Sequence, residues 1–346
     1  MMPRRPFSPI GVAVFGVPTL FAHWGFNVVR SIVEAISGPT LHLHITSLDQ
    51  LREGFGRREG GSVVLTSDLP EAELVKFVCD SDLPIVTFSE ASDDLLDWIV
   101  TSRNPNILEA ARFCTYSLCA LARPFAMERA LKIVGRRGDT PGPTISAIVE
   151  HLFPGRGEWL ADSTFDHLVE EGAINSATTV DWNSYRAHQE SANFSASDAE
   201  TLKEMRLAIA SYADLMDGRL PREIIWPPEL FYRQDGRAAR SAFDLTGPAR
   251  ILFYGPYMQL PIGNWIVRVE FEIDEAVSGV EAMTDIYINE VVTEKTFEMP
   301  QKGIFAYDLR FQVTDPHSAV QIRLFTKRSA IEGVFLPRSV RVRPGV

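Results

Sequence analysis

From Asn264 to Ile273 the chain alternates strictly. Trp265, Val267, Val269, Phe271 and Ile273 fall on one side, and Arg268, Glu270 and Glu272 on the other. A period of two is that of a β-strand with one buried and one wet face. Ile304–Val313 repeats it: Phe305, Tyr307, Leu309, Phe311 and Val313 share one face, and Ile304, Ala306, Asp308, Arg310 and Gln312 the other. Further strands are expected at Ala249–Tyr254, Tyr257–Leu260, Thr284–Asn289, Val291–Glu298, Ala319–Thr326 and Ile331–Val342. About eight short strands with polar turns between them imply an antiparallel β-sandwich of jelly-roll type.

The first part of the chain has a different period. Ile10–Phe15 is a short apolar run ending at Gly16-Val17-Pro18, as a buried strand would. Thr19 is an N-cap candidate, and helical spacing runs from Leu20 to Ser37 before Gly38-Pro39. Strands at Leu41–Thr46, Ser62–Thr66 and Pro84–Phe88 alternate with helices at Glu71–Cys79 and Ser92–Ser102. This order implies a small parallel sheet, flavodoxin-like or half-Rossmann, with four strands. Asn104–Val134 reads as one long apolar helix kinked at Pro124. Gly135–Pro143 reads as a linker, and Ser197–Met216 as the best helix of the middle region. The expected division is an α/β domain over 1–135, a helical linker region over 136–222 and a β-sandwich over 223–346.

Composition narrows the partners. A net charge of −11 opposes nonspecific nucleic-acid binding, which needs a basic surface to displace counterions. It equally opposes an anionic membrane surface. The apolar stretch Phe113–Ala122 lies between Arg112 and Arg123 and is too short for a bilayer, so no membrane insertion is expected. Cys79, Cys114 and Cys119 are odd in number and sit in apolar segments, which suits a reducing compartment. Arg4-Arg5 before an apolar run imitates a twin-arginine export signal. Gly16 and Pro18 interrupt that run, and Leu20-Phe21-Ala22 lacks the small residue expected three before a cleavage site. A cytoplasmic location is the expectation, with export the minority reading.

Few residues announce chemistry. The turn containing Gly16 and Thr19 lies where α/β sheets bind anions or nucleotides, but it has neither GxGxxG nor GxxxxGK[ST]. His42 and His44 share a strand face and would need a third ligand, such as Asp49 or Asp68, to hold a metal; strand-edge histidines are the plainer reading. His23 and Trp24 follow the first strand and could line a pocket at the sheet's carboxyl end. No GxSxG is present, and among 45 acids no catalytic pair stands out. No cofactor is implied.

Gly255-Pro256-Tyr257-Met258-Gln259-Leu260-Pro261-Ile262-Gly263-Asn264-Trp265 is the strongest motif. It resembles the opening of sugar-binding-type β-sandwich domains attached to bacterial polysaccharide and glycosyltransferase proteins, over about a hundred residues. The resemblance implies glycan recognition, in which aromatic faces stack on sugar rings and polar groups hold hydroxyls. The candidates are Tyr254, Tyr257, Trp226, Tyr232, Asn264, Asn289, Arg310 and Arg323, while Trp265, Phe305 and Tyr307 read as core. The leading expectation is therefore a protein of surface-polysaccharide metabolism whose sandwich binds a glycan or a protein partner. The competing expectations are a transferase taking a nucleotide-activated donor at the first βα turn, and a scaffold. Oligomerisation stays open.

Overall fold

The computed structural model describes residues 10–56, 61–104, 106–135, 141–155, 196–274 and 280–345. They fall into two compact units interleaved along the chain. Among the described residues, the first holds those up to 102, from 120 to 155 and 215–219; the second holds those from 103 to 119, from 196 to 214 and from 220 onward. The architecture is α/β followed by an antiparallel β-sandwich, with no helix among the described residues long and apolar enough to cross a membrane.

The first unit is built on a parallel sheet of β1 (Gly11–Gly16), β2 (Thr40–His44), β3 (Ser62–Ser67), β4 (Ile85–Glu90) and β5 (Ala130–Gly135) in the order β2-β3-β1-β4-β5. That order exchanges two strands of the 2-1-3-4-5 arrangement of flavodoxin-like sheets. Helix α1 (Leu20–Ser37) starts where Thr19 Oγ1 accepts the Ala22 N–H, 3.3 Å away. It stops at Gly38, whose φ of 81° an L side chain resists. Its apolar stripe, with Phe26, Val29 and Ile32, packs on Val12, Val14, Val64 and Phe88 of the sheet. Ile145, Ile148 and Val149 of α7 (Pro141–Leu152) complete that layer. Helices α2 (Leu48–Phe55), α3 (Ala72–Asp80), α4 (Ser92–Ser102) and the short α6 (Ala122–Ala126) make up the rest.

Leu48–Phe55, a stretch to which the sequence reading assigns no element, is a helix capped by Ser47. One expectation fails here. The long helix over 104–134 is three elements: α5 (Ile107–Ala120), α6 and strand β5. Met127–Arg129 turns the chain, and Ala130–Gly135 then pairs in register with Ile85–Glu90. The sheet consequently has five strands, not four. The apolar run of β5 is too short for periodicity to separate strand from buried helix; pairing with β4 decides it.

The sandwich comprises β6 (Ile224–Trp226), β7 (Phe243–Asp244), β8 (Ile251–Met258), β9 (Gly263–Ile273), β10 (Glu281–Ile288), β11 (Glu290–Glu298), β12 (Gly303–Val313), β13 (Val320–Thr326) and β14 (Val334–Pro344). One sheet runs β11-β10-β13-β8; the other runs β12-β9-β14-β6, with β7 paired to β14. In β9 the five expected inward residues are all buried, and the register sets Trp265 opposite Phe311 and Val269 opposite Tyr307. Stacking of Phe271 on Phe335, 5.2 Å between centroids, and the bond from the Tyr307 hydroxyl to Thr284 Oγ1 tie the interior together. The expected strands Ala249–Tyr254 and Tyr257–Leu260 are one strand, β8, which continues through a cis Gly255–Pro256 bond and Tyr257 at φ 65°. Helices α5 and α8 (Ala196–Ala210) and a 3-10 turn at Ala213–Leu215 accompany the sandwich; the rest of the expected helix to Met216 is irregular.

Candidate functional site

Strand pairing brings distant residues into one row across the sheet β11-β10-β13-β8. Tyr254 of β8 pairs with Arg323 of β13, which pairs with Asp285 of β10. Asp285 is buried, and Arg323 Nε and Nη2 each donate to one of its oxygens at 2.8 Å. Such a bidentate fork holds the guanidinium plane rigidly. The bond to Asp285, foremost, holds the Arg323 pKa above its ordinary value. The Arg323 guanidinium also lies 4.5 Å from the centre of the Tyr287 ring and 5.6 Å from that of Phe325.

Beside this row three tyrosines cluster. Tyr232 and Tyr254 exchange backbone hydrogen bonds of 2.8 Å, and their ring centroids are 5.9 Å apart. Tyr257 meets Tyr254 edge-on at 6.3 Å. Arg112 of α5 lies over the rings of Tyr232 and Tyr257, at 5.3 and 5.0 Å. It donates from Nε to the Pro256 carbonyl at 2.9 Å and from Nη2 to the Tyr232 hydroxyl at 3.2 Å, and it pairs with Glu109. Partial burial raises the Tyr257 pKa, and the neighbouring Tyr254 adds to the effect, so the phenol stays a hydrogen-bond donor at neutral pH. All three tyrosines are half-buried, presenting apolar ring surface with polar tips. At the other end of β8, a cleft of about 260 Å³ is lined by Arg233, Gln234, Asp235, Phe243, Arg250 and Ile251, together with Leu252.

Of the eight sequence-derived candidates, Tyr232, Tyr254, Tyr257 and Arg323 come together. The other four do not join them. Trp226 is a correction: it is fully buried and donates its indole N–H to the Tyr212 hydroxyl at 3.0 Å, so it is core and cannot meet a ligand. Asn264 and Arg310 are exposed on β9 and β12, in the opposite sheet. Asn289, at φ 62°, makes the β10–β11 turn and donates to Ser318 Oγ at 2.8 Å. Sequence reasoning missed Arg112, Asp285, Tyr287 and Phe325. A lone carboxylate within the strand Thr284–Asn289 was the one legible signal, since a buried acid requires a partner.

In the first unit, the turn of Gly16 and Thr19 is engaged by the protein itself. The Val17 N–H donates to the Phe88 carbonyl at 3.2 Å and the Thr19 N–H to the Val17 carbonyl at 2.7 Å. The Thr19 hydroxyl and the Phe21 N–H bond to the Glu90 carboxyl group. Burial pushes the Glu90 pKa up to about 7. A Cβ on Gly16 would stand 2.6 Å from that of Ala22, so this glycine lets α1 approach the strand. Nearby, His23 Nε2 and His44 Nε2 face the two oxygens of Asp68 at 3.2 and 3.6 Å. His44 Nδ1 and His42 Nε2 both bond Thr66 Oγ1, at 3.1 and 3.0 Å. Burial, foremost, lowers the His42 pKa. No group of three such side chains among the described residues is arranged to hold a metal ion.

No protein-family model matches the chain, and no curated protein matches it. Solved structures resemble part of it. One is the arabinose-bound α-L-arabinofuranosidase MgGH51, at 9% identity and TM-score 0.23, with the match covering 29% of this chain and 19% of that one. Another is the module TmCBM61 in complex with β-1,4-galactotriose, at 8% identity and TM-score 0.24, covering 37% and 91%. A third is the VP2 subviral particle of infectious bursal disease virus, at 11% identity and TM-score 0.23, covering 37% and 38%. Likenesses this distant, to sugar-bound proteins and a subviral particle alike, carry no argument about function.

Proposed function

We propose that the protein recognises glycans through the face of the β11-β10-β13-β8 sheet that carries Tyr254, Tyr257 and Arg323, with Tyr232 and Arg112 at its side. The single observation behind this reading is the convergence of three half-buried tyrosine rings around two guanidiniums already held by carboxylates. Rings held in place stack on the apolar face of a pyranose, and the fixed N–H and O–H groups at their margins suit hydroxyls. Preorganisation also lowers the entropy lost on binding. The reading favours binding over group transfer, because the alternative donor site at Gly16 and Thr19 is engaged by Glu90.

The test is a glycan array probed with the full chain, followed by titration of any saccharide captured. Tyr257→Ala and Tyr254→Ala should each weaken binding roughly fivefold or more, from the loss of about 1 kcal/mol of stacking. Arg310→Ala, on the opposite sheet, should leave it unchanged. A folded wild-type chain that captures no saccharide refutes the proposal.

A further inference from the structure

The two ends of the β8 face differ in charge. Beside the tyrosines, Arg112 is paired with Glu109 and Arg323 with Asp285, so each guanidinium is cancelled locally. The cleft at the other end holds Arg233 and Arg250 against one carboxylate, Asp235. Arg233 lies 4.8 Å from the centre of the Phe243 ring and pairs with Asp235 at 3.3 Å. Arg250 bonds two carbonyl oxygens instead: Nη1 donates to Thr246 O at 2.9 Å and Nη2 to Asp244 O at 2.7 Å. The Asp244 carboxylate lies near enough for Arg250 to lower its pKa, but its strongest bonds are to Thr246, and it forms no ion pair with Arg250 among the described residues. The two carbonyls fix the guanidinium, and no carboxylate among the described residues bonds to it directly. The volume, about 260 Å³, is below the roughly 300 Å³ at which pockets for drug-sized ligands begin, and suits a single sugar unit.

Resting on the glycan reading above, we infer that the ligand is an acidic saccharide: a sugar carboxylate enters this cleft and is held by Arg250, while neighbouring rings of the same chain lie against Tyr254 and Tyr257. Ile251, in the cleft, pairs with Phe325 and Tyr254 with Arg323, two residues apart on β13, so the two positions lie roughly 7 Å apart along the sheet at the rise of a strand. A short oligosaccharide therefore spans both. The net charge of −11 makes an acidic ligand a demanding choice, so recognition must come from this local guanidinium and will weaken with salt.

The experiment uses the full chain and three pairs of oligosaccharides, namely galacturonate, glucuronate and mannuronate oligomers, each beside its methyl ester. The pairs share a backbone and differ only in the charge of the carboxyl group. At least one acid form should bind about tenfold or more tighter than its ester, as expected for a charge-assisted guanidinium–carboxylate contact. The preference should fall to within about twofold in Arg250→Gln and shrink at high salt. Arg250→Lys, which keeps the charge and loses the fork, should retain an intermediate preference. Circular dichroism checks that each variant folds. Equal binding of acid and ester overturns this inference and leaves the glycan reading standing. An acid preference that survives in folded Arg250→Gln overturns the assignment to this cleft. Absence of binding to these six probes and to the whole array overturns both.

Discussion

Replacing Glu90 with Gln should make the protein more stable above neutral pH and remove part of its pH dependence. Glu90 ends β4 and is 2% exposed, with the Thr19 hydroxyl and the Phe21 N–H directed at its carboxyl group. These bonds favour the carboxylate, but desolvation outweighs them, and Asp94 adds repulsion. The folded-state pKa is thus about 7 against an ordinary 4.5. Because the folded state holds the proton more tightly, the contribution to stability is fully present below pH 4.5 and is lost as pH rises through 7. At about 1.4 kcal/mol per pH unit, the loss approaches ~3 kcal/mol at pH 8 and above. Glutamine keeps an acceptor for both donors and has no charge to bury. Urea unfolding of wild type and Glu90→Gln at intervals from pH 5 to 8.5 gives the comparison. The difference in unfolding free energy should widen in favour of the variant by roughly 2–3 kcal/mol across that range. Other titrating groups, such as His42 and His151, whose pKa values burial lowers, act alike in both proteins and cancel. Curves that stay parallel would show that Glu90 is ionised at little cost and refute the argument.

Two further substitutions test the packing. Gly25→Ala improves helix propensity in α1, yet its methyl group would press into the Phe88 ring; a net destabilisation of about 1–3 kcal/mol is expected by thermal or urea unfolding, and a stabilised variant would mean that the layer can open freely. Tyr212→Phe strands the buried Trp226 N–H and removes the donor to the Gln259 carbonyl, bonds of 3.0 Å each; it should cost about 1–3 kcal/mol, and an unchanged urea midpoint would show that the network contributes nothing.

How much of this was legible depends on the range of the interaction involved. The burial of Trp265, Val267, Val269, Phe271 and Ile273 follows from their alternation, because one amphipathic strand carries its own record of which face meets the core. The cap at Thr19, the stop at Gly38 and the helix Ser92–Ser102 were readable for the same reason: each depends on neighbours a few residues away. Where no local pattern discriminates, the reading failed. β5 looks helical until β4 offers it a partner, and Trp226, taken for a ligand platform, closes the core as part of β6 against β14.

The candidate site lies beyond that local horizon. Tyr254 and Tyr257 stood out as aromatics suited to stacking on a sugar ring, but Arg112 reaches Tyr257 from 145 positions earlier in the numbering, and Arg323 finds Asp285 through the register of β10 on β13. The sequence by itself determined the class of each half and which faces of the long strands are buried, since hydrophobic periodicity reports directly on burial. Only the tertiary structure decided which polar groups meet: ion pairing and ring stacking act over a few ångströms, and what comes within that distance is set by strand order and register across the whole chain.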